Sequence, residues 1–295
     1  MKYNVPEKKR IRVILDTDAK NEADDQFAIV HALLTPRFRV EGIIAAQFGE
    51  RRTERSMMES YEEIKKILVY MDLEGKVPCL KGYTGKMCRE EESEGVDFIV
   101  ERALAEDSKL HIAVLGPLTN VAAAIRKKPE IQDKLHIVWI GGGTYPYGEE
   151  EFNLSNDIEA ANYVFSSKAE VWQITRQAYY KMKVGFAELE AKVRPQGELG
   201  EYLCRQMIEL NNSLEDEAVW PLGECWNICD LAATGLLIDE HEYFYQQIPA
   251  PYITQEMNYV KRPNNKTIRV YEKVDERFIL EDFFAKLKLY EEEKR

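Results

Sequence analysis

The sequence predicts an α/β protein built as a single domain, with a mostly parallel sheet flanked by helices and a mainly helical C-terminal part. Two observations support this fold class: short β-branched runs alternate with helical segments, and no Pro/Gly/Ser-rich linker interrupts the alternation. The 295 residues are 45% apolar and 31% charged, which is typical of a folded globular chain. We expect one domain over residues 1–295.

The predicted elements follow one another as strand and helix pairs. A strand over 11–16 precedes a helix over Asp25–Leu34 that stops before Pro36. Four further strand and helix pairs follow. The first three strands are VEGIIAAQF, VPCL and HIAVLG, and they precede helices over 53–70, over 96–105 and from Thr119, respectively. The fourth pair is a strand over 135–140 and a helix over 157–165. A strand over 171–175 comes next, and beyond Phe186 the pattern turns mostly helical, with helices over 227–237 and 275–292. Because ligands of open parallel sheets bind beyond the carboxyl ends of the strands, we expect the chemistry in those loops.

Charge and cysteine content exclude several classes of function. With 40 Lys and Arg against 52 Asp and Glu, the formal net charge is −12, so nucleic acid is not an expected partner. Five widely spaced cysteines in a chain of this length do not indicate a disulfide framework. The N-terminal residues form no apolar signal core and no apolar run is long enough to span a bilayer, so we expect a cytoplasmic protein without membrane contact.

The strongest local signal is an acidic loop directly after the first predicted strand. Asp16, Asp18, Glu22, Asp24 and Asp25 place five carboxylates within ten residues. Asp16 and Asp18 lie two apart and share a face if the segment stays extended, and the Asp24–Asp25 pair opens a helix. Helix capping explains one or two carboxylates, whereas a crowded group at a strand end needs a counter-charge such as a hard divalent cation. We therefore expect a metal site here.

The DxD pattern has a second interpretation. It also occurs in phosphotransferases of the haloacid dehalogenase type, which use a nucleophilic Asp and Mg²⁺. In this sequence Lys20 stands where a hydroxyl residue is expected, two places after the second Asp. A Mg²⁺-dependent phosphohydrolase with Asp16 as nucleophile is accordingly the weaker alternative.

Three other segments carry polar residues in apolar surroundings. LGPLTN ends a strand and starts a helix capped by Thr119 or Asn120, and such a loop exposes carbonyl oxygens that suit Ca²⁺. Glu151 and Asn153 could hold sugar hydroxyls or belong to a polar surface loop. Asp230 interrupts the apolar stretch NICDLAATGLLI, and Asp is unfavourable inside a helix and rarely buried alone, so either a metal or an exposed position must explain it.

Together these segments resemble the inosine-uridine preferring nucleoside hydrolases over residues 11–239. The matching stretches are VILDTD…DDQFAI, LGPLTNVAAAI, IGGG…EFN…DIEAA and CDLAATGLLID. The resemblance implies a Rossmann-like topology, a Ca²⁺ ion at the base of a ribose pocket, and hydrolysis of the N-glycosidic bond of a ribonucleoside to free base and ribose. It also implies a homodimer or homotetramer, which rests on analogy alone.

The resemblance assigns roles position by position. The implied calcium ligands are Asp18, Asp25, Asp230 and the carbonyl oxygen of Thr119. The implied ribose-binding residues are Asp24, Glu151, Asn153 and Asp230. Asp18 would also act as the general base that takes a proton from a metal-bound water.

The sequence departs from the family pattern in three places. The loop from Asp18 to Asp25 is two residues longer than usual, and an Asn that commonly follows the second strand is replaced near residues 49–50. Most members of the family have a His at the position of Cys229, and that His protonates the leaving base. One branch of the family has a Cys at this position, so Cys229 is the candidate acid. The four histidines offer no obvious replacement; they are His31, His111, His136 and His241. The candidate base-binding aromatic residues, each of which could instead belong to the core, are Trp220, Trp226, Tyr179 and Tyr180.

The leading hypothesis is therefore a Ca²⁺-dependent ribonucleoside hydrolase of purine or pyrimidine salvage. A non-catalytic ribose-binding or nucleoside-binding protein is the alternative from another class, because Asp18 could hold a metal without supporting turnover.

Overall fold

The structure is a computed structural model that describes residues 3–89, 91–213, 223–239 and 244–294. The strands are β1 (Ile11–Thr17), β2 (Phe38–Ala45), β3 (Cys79–Lys81), β4 (Leu110–Val114), β5 (Leu135–Ile140), β6 (Glu170–Ile174), β7 (Lys183–Gly185), β8 (Cys225–Asn227), β9 (Tyr245–Pro249), β10 (Tyr252–Ile253), β11 (Tyr259–Val260) and β12 (Thr267–Tyr271). The helices are α1 (Asp25–Leu34), α2 (Ser56–Tyr70), α3 (Glu94–Ala105), α4 (Thr119–Lys127), α5 (Phe152–Asn156), α6 (Ile158–Ser166), α7 (Arg176–Tyr179), α8 (Phe186–Lys192), α9 (Gly197–Ser213), α10 (Leu231–Ile238) and α11 (Glu276–Lys294). Short 3₁₀ segments lie at Glu7–Lys9, Met87–Arg89 and Pro129–Lys134.

Eight strands form the central sheet in the order β3-β2-β1-β4-β5-β6-β12-β9. Neighbouring strands are parallel from β3 through β12, and β9 pairs antiparallel with β12. The order of the first six strands is that of a doubly wound sheet, in which the chain reverses its direction of winding between β1 and β4. The predicted mostly parallel α/β fold is confirmed, and it places a crevice at the carboxyl ends of β1 and β4.

Both edges of this sheet are poor templates for a further strand. The edge strand β3 has three residues, and β9 at the opposite edge ends in Pro249, which has no backbone N–H to donate.

Helices cover both faces of the sheet. On one face α1, α2, α9, α10 and α11 surround buried Phe27, Leu203 and Phe283. On the other face α3, α4 and α6 pack around Trp139 and Phe165. Because both faces are covered, β1 is a nearly continuous apolar run rather than an alternating one. Helix α1 is buried almost throughout, since it lies against the sheet, α10 and α11.

The C-terminal part holds the expected helices together with strands that the sequence pattern did not locate. Strand β12 lies beside β6, and β9 forms the edge. The stretch YQQIP lacks an apolar alternation, and its side chains are largely exposed, which is why the pattern gave no strand there. Helix α10 begins at Leu231, so Asp230 occupies its N-cap position rather than its interior. Within the described ranges, no helix has both the length and the apolar character needed to cross a membrane.

Candidate active site

A cavity of about 690 Å³ opens at the carboxyl end of the sheet. It lies where a doubly wound sheet binds ligands, beyond the ends of β1 and β4. The loop after β1 supplies its acidic floor, the turn before α10 supplies Cys229 and Asp230, and the segment around α5 supplies Glu151 and Asn153. Residues from distant parts of the chain thus meet in one place.

Carboxylates converge on the floor of this cavity. Oxygen atoms of Asp24, Asp25 and Asp230 lie within 4.8 Å of one another, and all three side chains are buried. Asp18 lines the same cavity and is 2% exposed. The side chain of Asp18 packs against Gly116, where a Cβ atom would lie 2.7 Å from its Oδ1. Gly116 is therefore required for space: it lets the carboxylate of Asp18 lie against the backbone that follows β4.

Hydrogen bonds fix two of these carboxylates. Asp24 Oδ2 accepts the backbone N–H groups of Cys229, at 3.0 Å, and of Asp230, at 3.4 Å, and so joins the start of α1 to the start of α10. Asp25 accepts the hydroxyl of Thr17 and shares a hydrogen bond with Asp230. Asp18 Oδ2, in contrast, is buried without a hydrogen-bond partner among the described residues.

The floor of the cavity holds several carboxylates of the same charge that are shielded from water. Burial, followed by the charge of Asp25, raises the pKa of Asp18 well above its ordinary value. Burial also raises the pKa of Asp25 to about 6, against the hydrogen bonds from Thr17 and Asp230, and it raises the pKa of Asp24 and Asp230. Carboxylate oxygens held this closely, one of them unpartnered, fit a hard divalent cation. The acidic cluster could therefore bind a metal.

Thr119 lies outside this arrangement. It is the first residue of α4, its hydroxyl donates to Asp157 Oδ2 at 2.9 Å, and it does not line the cavity. Leu115, at the end of β4, does line the cavity, and its carbonyl oxygen accepts from Asn153 Nδ2 at 2.6 Å. Within the LGPLTN segment, Leu115 lines the cavity and Thr119, the predicted carbonyl ligand, does not.

Glu151 and Asn153 both reach the cavity, and both are also held by the protein. Glu151 caps α5 by accepting the backbone N–H groups of Asn153 and Leu154, and it also accepts from Gly142 N–H and the Tyr179 hydroxyl. Asn153 Nδ2 donates to the carbonyls of Leu115 and Ile140. The two side chains are consequently preorganised rather than free to rotate.

Cys229 lines the cavity next to Asp230 and is 7% exposed. Burial, followed by the charges of Asp24 and Glu22, raises the pKa of its thiol well above the usual range. The sulfur therefore carries its proton at neutral pH. Of the predicted base-binding aromatic residues, Tyr179 and Tyr180 line the cavity, Trp226 is buried away from its lining, and Trp220 lies outside the described residues.

The described histidines have structural surroundings. His31 is fully buried between Thr234 and Asp282, while His111 and His136 contact each other edge to face in the strands β4 and β5. None of the three lines the cavity. His241 lies outside the described residues.

Asp16 is closed off from the cavity. Its side chain is 0% exposed, its Oδ1 accepts from Asn120 Nδ2 at 2.8 Å, and it is not part of the lining. Lys20 pairs with Glu63 at 3.7 Å. A nucleophile must reach its substrate, so this geometry contradicts the phosphohydrolase interpretation that depends on Asp16.

The sequence analysis missed several residues that line the cavity. They are Asn21, Arg51, Arg52, Leu115, Glu150, Phe152, Ser155 and Arg176. The longer loop after Asp18 carries the first of these, and its extra length was the available signal that it contributes more than carboxylates to the site.

Comparisons with known proteins identify the family of this chain. A family model described as inosine-uridine preferring nucleoside hydrolase matches residues 13–281. A pyrimidine-specific ribonucleoside hydrolase of Escherichia coli K12 is 28% identical over 179 residues, which cover 53% of this chain and 56% of that protein. The chain thus spans about half the length of the curated relatives it matches.

Solved structures share the fold over almost the whole chain. A plant nucleoside hydrolase superimposes with a TM-score of 0.79 at 17% identity, covering 94% of this chain and 99% of the other. A purine-preferring ribonucleoside hydrolase from Gardnerella vaginalis gives a TM-score of 0.77 at 21% identity, covering 95% and 99%. With a family model that matches most of its length, this chain belongs to the inosine-uridine preferring nucleoside hydrolase family.

Proposed function

We propose that the protein hydrolyses the N-glycosidic bond of ribonucleosides in a Ca²⁺-dependent reaction. The observation that carries this proposal is the convergence of Asp18, Asp24, Asp25 and Asp230 from two distant chain segments on one cavity. The reaction adds water across the bond between C1′ of ribose and the base nitrogen, and it yields ribose and the free base.

Asp18, Asp25, Asp230 and the carbonyl oxygen of Leu115 would hold the ion. When bound, Ca²⁺ would lower the pKa of a coordinated water and offset the like charges of the floor. Its ligands are then all oxygen atoms, as calcium prefers.

Asp18 is the proposed general base. Its Oδ2 is the carboxylate oxygen of the floor without a partner among the described residues, so it is available to accept a proton from the attacking water. Asp24, Glu151 and Asn153 are the proposed sugar-binding residues, together with Asp230. Their own hydrogen bonds hold them in place, which orients the ribose ring before reaction.

Cys229 is the proposed proton donor to the leaving base. Its thiol is neutral because burial raises its pKa, but the same raised pKa makes it a weak acid. We therefore expect the enzyme to depend on the quality of the leaving group more than an enzyme with a histidine acid would.

The decisive experiment measures turnover of inosine, uridine and nitrophenyl riboside by the Ca²⁺-loaded protein and by Cys229→Ala. A loss of about 10²–10⁴-fold on inosine and uridine, with a much smaller loss on nitrophenyl riboside, is expected if Cys229 donates the proton. Equal loss on all three substrates would remove Cys229 from this role. If the wild-type protein binds ribose and hydrolyses none of the substrates, it is a binding protein and the proposal fails.

A further inference from the structure

The glycine segment Gly141–Gly143, directly after β5, connects the proposed sugar-binding residue Glu151 to the protein interior. Gly142 N–H donates to Glu151 Oε2 at 2.8 Å. The carbonyl of Gly142 accepts the backbone N–H of Arg176 at 3.0 Å. The φ angle of Gly142 is 80°, in the left-handed region that favours glycine. The path of this segment therefore decides where one donor of the Glu151 carboxylate points.

A buried amide from the neighbouring strand β6 holds the glycine segment. Gln173 is 0% exposed, and its Nε2 donates to the carbonyl of Gly141 at 3.0 Å and to the hydroxyl of Tyr259 at 3.1 Å. Gln173 Oε1 accepts the hydroxyl of Tyr145 at 2.8 Å. The amide has one orientation that satisfies these partners, because a flipped amide would place its oxygen against the carbonyl of Gly141.

Tyr259, in β11, holds the other end of the glycine segment. Its hydroxyl donates to the carbonyl of Gly143 at 3.3 Å, and its ring lies 4.6 Å from the ring of Tyr145, centre to centre. Burial raises the pKa of both phenols, so each hydroxyl keeps the proton that it donates. A Cβ atom on Gly142 would overlap the side-chain amide of Gln173 and the hydroxyl of Tyr259. The carbonyls on either side of Gly142 are consequently both anchored, and no side chain fits between the anchors and the backbone.

We propose that Gln173 and Tyr259 are positioning residues, which set the sugar contact of Glu151 through the backbone of Gly142. This inference rests on the proposed function, in which Glu151 binds a ribose hydroxyl. Neither Gln173 nor Tyr259 lines the cavity, so neither touches the substrate. They hold the N–H of Gly142 toward Glu151 Oε2, and with the helix-capping bonds of Glu151 this fixes how the carboxylate faces the sugar.

A positioning role and a purely structural role predict different substrate patterns. If Gln173 and Tyr259 only support the fold, their loss lowers kcat/KM by the same factor for every substrate. If they position Glu151, the loss falls on the ribose hydroxyl that Glu151 binds. A substrate that lacks this hydroxyl has already lost the contact, so the variants should then lose little on it.

The experiment uses the Ca²⁺-loaded protein and measures kcat/KM for inosine or uridine, whichever is hydrolysed faster, and for its 2′-, 3′- and 5′-deoxy analogues. Glu151→Gln identifies the hydroxyl that Glu151 binds, as the analogue on which its loss is smallest. Tyr259→Phe deletes one hydroxyl and keeps the ring, and it should lower kcat/KM for the parent nucleoside by about 3- to 10-fold. Gln173→Met deletes both N–H donors and should lower it by about 10- to 100-fold. Both variants should lose little on the analogue that Glu151→Gln identifies.

Tyr290→Phe is the matched control. The hydroxyl of Tyr290 donates to the carbonyl of Met71 at 3.0 Å, and neither residue lines the cavity. The control thus deletes the same atom and the same kind of hydrogen bond as Tyr259→Phe. We expect its kcat/KM to equal that of the wild type on every substrate of the set.

The outcomes separate this inference from the proposed function. Equal losses on the parent nucleoside and all its analogues, or unchanged kinetics in Tyr259→Phe and Gln173→Met, would overturn the inference and leave the proposed hydrolysis intact. A Glu151→Gln loss that spares no analogue would overturn it as well, because Glu151 would then bind no single hydroxyl.

If the wild type hydrolyses neither inosine nor uridine, the proposed function fails and the amide resonance of Gly142 decides. In protein labelled with ¹⁵N-glycine, we expect this resonance to be the glycine signal that moves most in Glu151→Gln. A shift of the same signal in Tyr259→Phe, with none in Tyr290→Phe, supports the positioning of Glu151 through Gly142. A signal that stays in place in Tyr259→Phe, or that moves equally in Tyr290→Phe, overturns it.

Discussion

Two groups of charged side chains, most of them buried, lie near opposite ends of α1, and their charges are compensated in different ways. The acidic group at the start of the helix consists of Asp18, Asp24, Asp25 and Asp230. The mixed group near its end consists of His31, Asp282 and Lys286, with the hydroxyls of Thr35 and Thr234. The acidic group lines a cavity, whereas the mixed group lies between α1, α10 and α11, with the side chain of Asp282 25% exposed.

The mixed group completes its own contacts. His31 Nδ1 lies 2.8 Å from Thr234 Oγ1, and His31 Nε2 lies 2.7 Å from Asp282 Oδ2. Lys286 pairs with Asp282 and donates to Thr35 Oγ1 at 3.0 Å. Each charge has an opposite charge or a dipole beside it, so the group requires nothing from outside the chain.

The acidic group contains only one sign of charge. Burial raises the pKa of every member, and the charge of Asp25 raises the pKa of Asp18 further, as the charges of Asp24 and Asp25 do for Asp230. One oxygen of Asp18 has no partner among the described residues. The comparison teaches that buried charge alone does not indicate a functional site. A functional site is indicated when a buried charged group lacks a counter-charge and also opens to a cavity.

The largest expected difference between the groups is in turnover. Asp18→Asn should slow hydrolysis of inosine by about 10²–10⁴-fold, because the amide cannot accept a proton from water. Asp282→Asn should change kcat by less than about twofold in folded protein while lowering the free energy of unfolding. Steady-state kinetics and urea unfolding of both variants check this, and a similar kcat loss in both would erase the distinction.

The next effect is on the pH dependence of stability. Burial, opposed by the bond to Asp282, lowers the pKa of His31 from 6.5 to about 4. In this window the unfolded chain binds the proton and the folded chain does not, so stability is lost as the pH falls from about 6.5 to about 4, by up to ~3 kcal/mol. We expect the difference in unfolding free energy between wild type and His31→Gln to shrink accordingly on acidification. A difference that is constant with pH would contradict the neutral state of His31.

Calcium should stabilise the protein through the acidic group alone. At a free concentration of 100 Kd, a ligand that binds only the folded state adds about 2.7 kcal/mol, which is a rise in melting temperature of roughly 5 °C for a chain of this size. Asp25→Asn should lose most of this rise. Asp282→Asn is the control that should keep it, and a rise retained in Asp25→Asn would place the ion elsewhere.

The smallest effect concerns the link between α1 and α10. Thr234→Val removes the hydroxyl that contacts His31 and preserves the shape of the side chain, and it should cost about 1 kcal/mol of unfolding free energy. Thr267→Val, at an exposed position in β12, should change stability by less than about 0.5 kcal/mol. Equal costs at the two positions would mean that the buried hydrogen bond contributes nothing measurable.

Sequence periodicity predicts the parallel part of this fold well, for a physical reason. Strands covered on both faces, such as β1, are apolar runs, and the crossover helices between them keep a helical period. Strand β9 escapes prediction because it is an exposed edge strand with Gln246 and Gln247 at its centre, so neither of its faces is apolar. The predicted helix over 227–237 starts before α10, which begins at Leu231. The reason is that β8 and the turn after it are also apolar, so the apolar pattern does not mark the start of the helix.

The acidic residues of the cavity could also be predicted, since Asp18 and Asp25 belong to a crowded acidic loop and Asp230 stands out in an apolar stretch. The position of Leu115 in the cavity could not be predicted, because every residue has a carbonyl and only the path of the chain before the Gly116 turn decides which residue faces the cavity. Arg52 and Asn21 lie in loops that contact each other, and such loop contacts produce no periodic pattern in the sequence from which they could be predicted.

The two blunt edges of the sheet bear on how copies of this chain would associate. A three-residue strand at one edge and a strand ending in Pro249 at the other offer few aligned N–H and C=O groups to a neighbouring backbone. The homodimer or homotetramer expected from the family would then be joined through helix and loop side chains, with each sheet ending inside its own subunit. Assembly built in this way can change its geometry by surface substitution without disturbing β1 and β4, the strands that Asp18 and Leu115 directly follow.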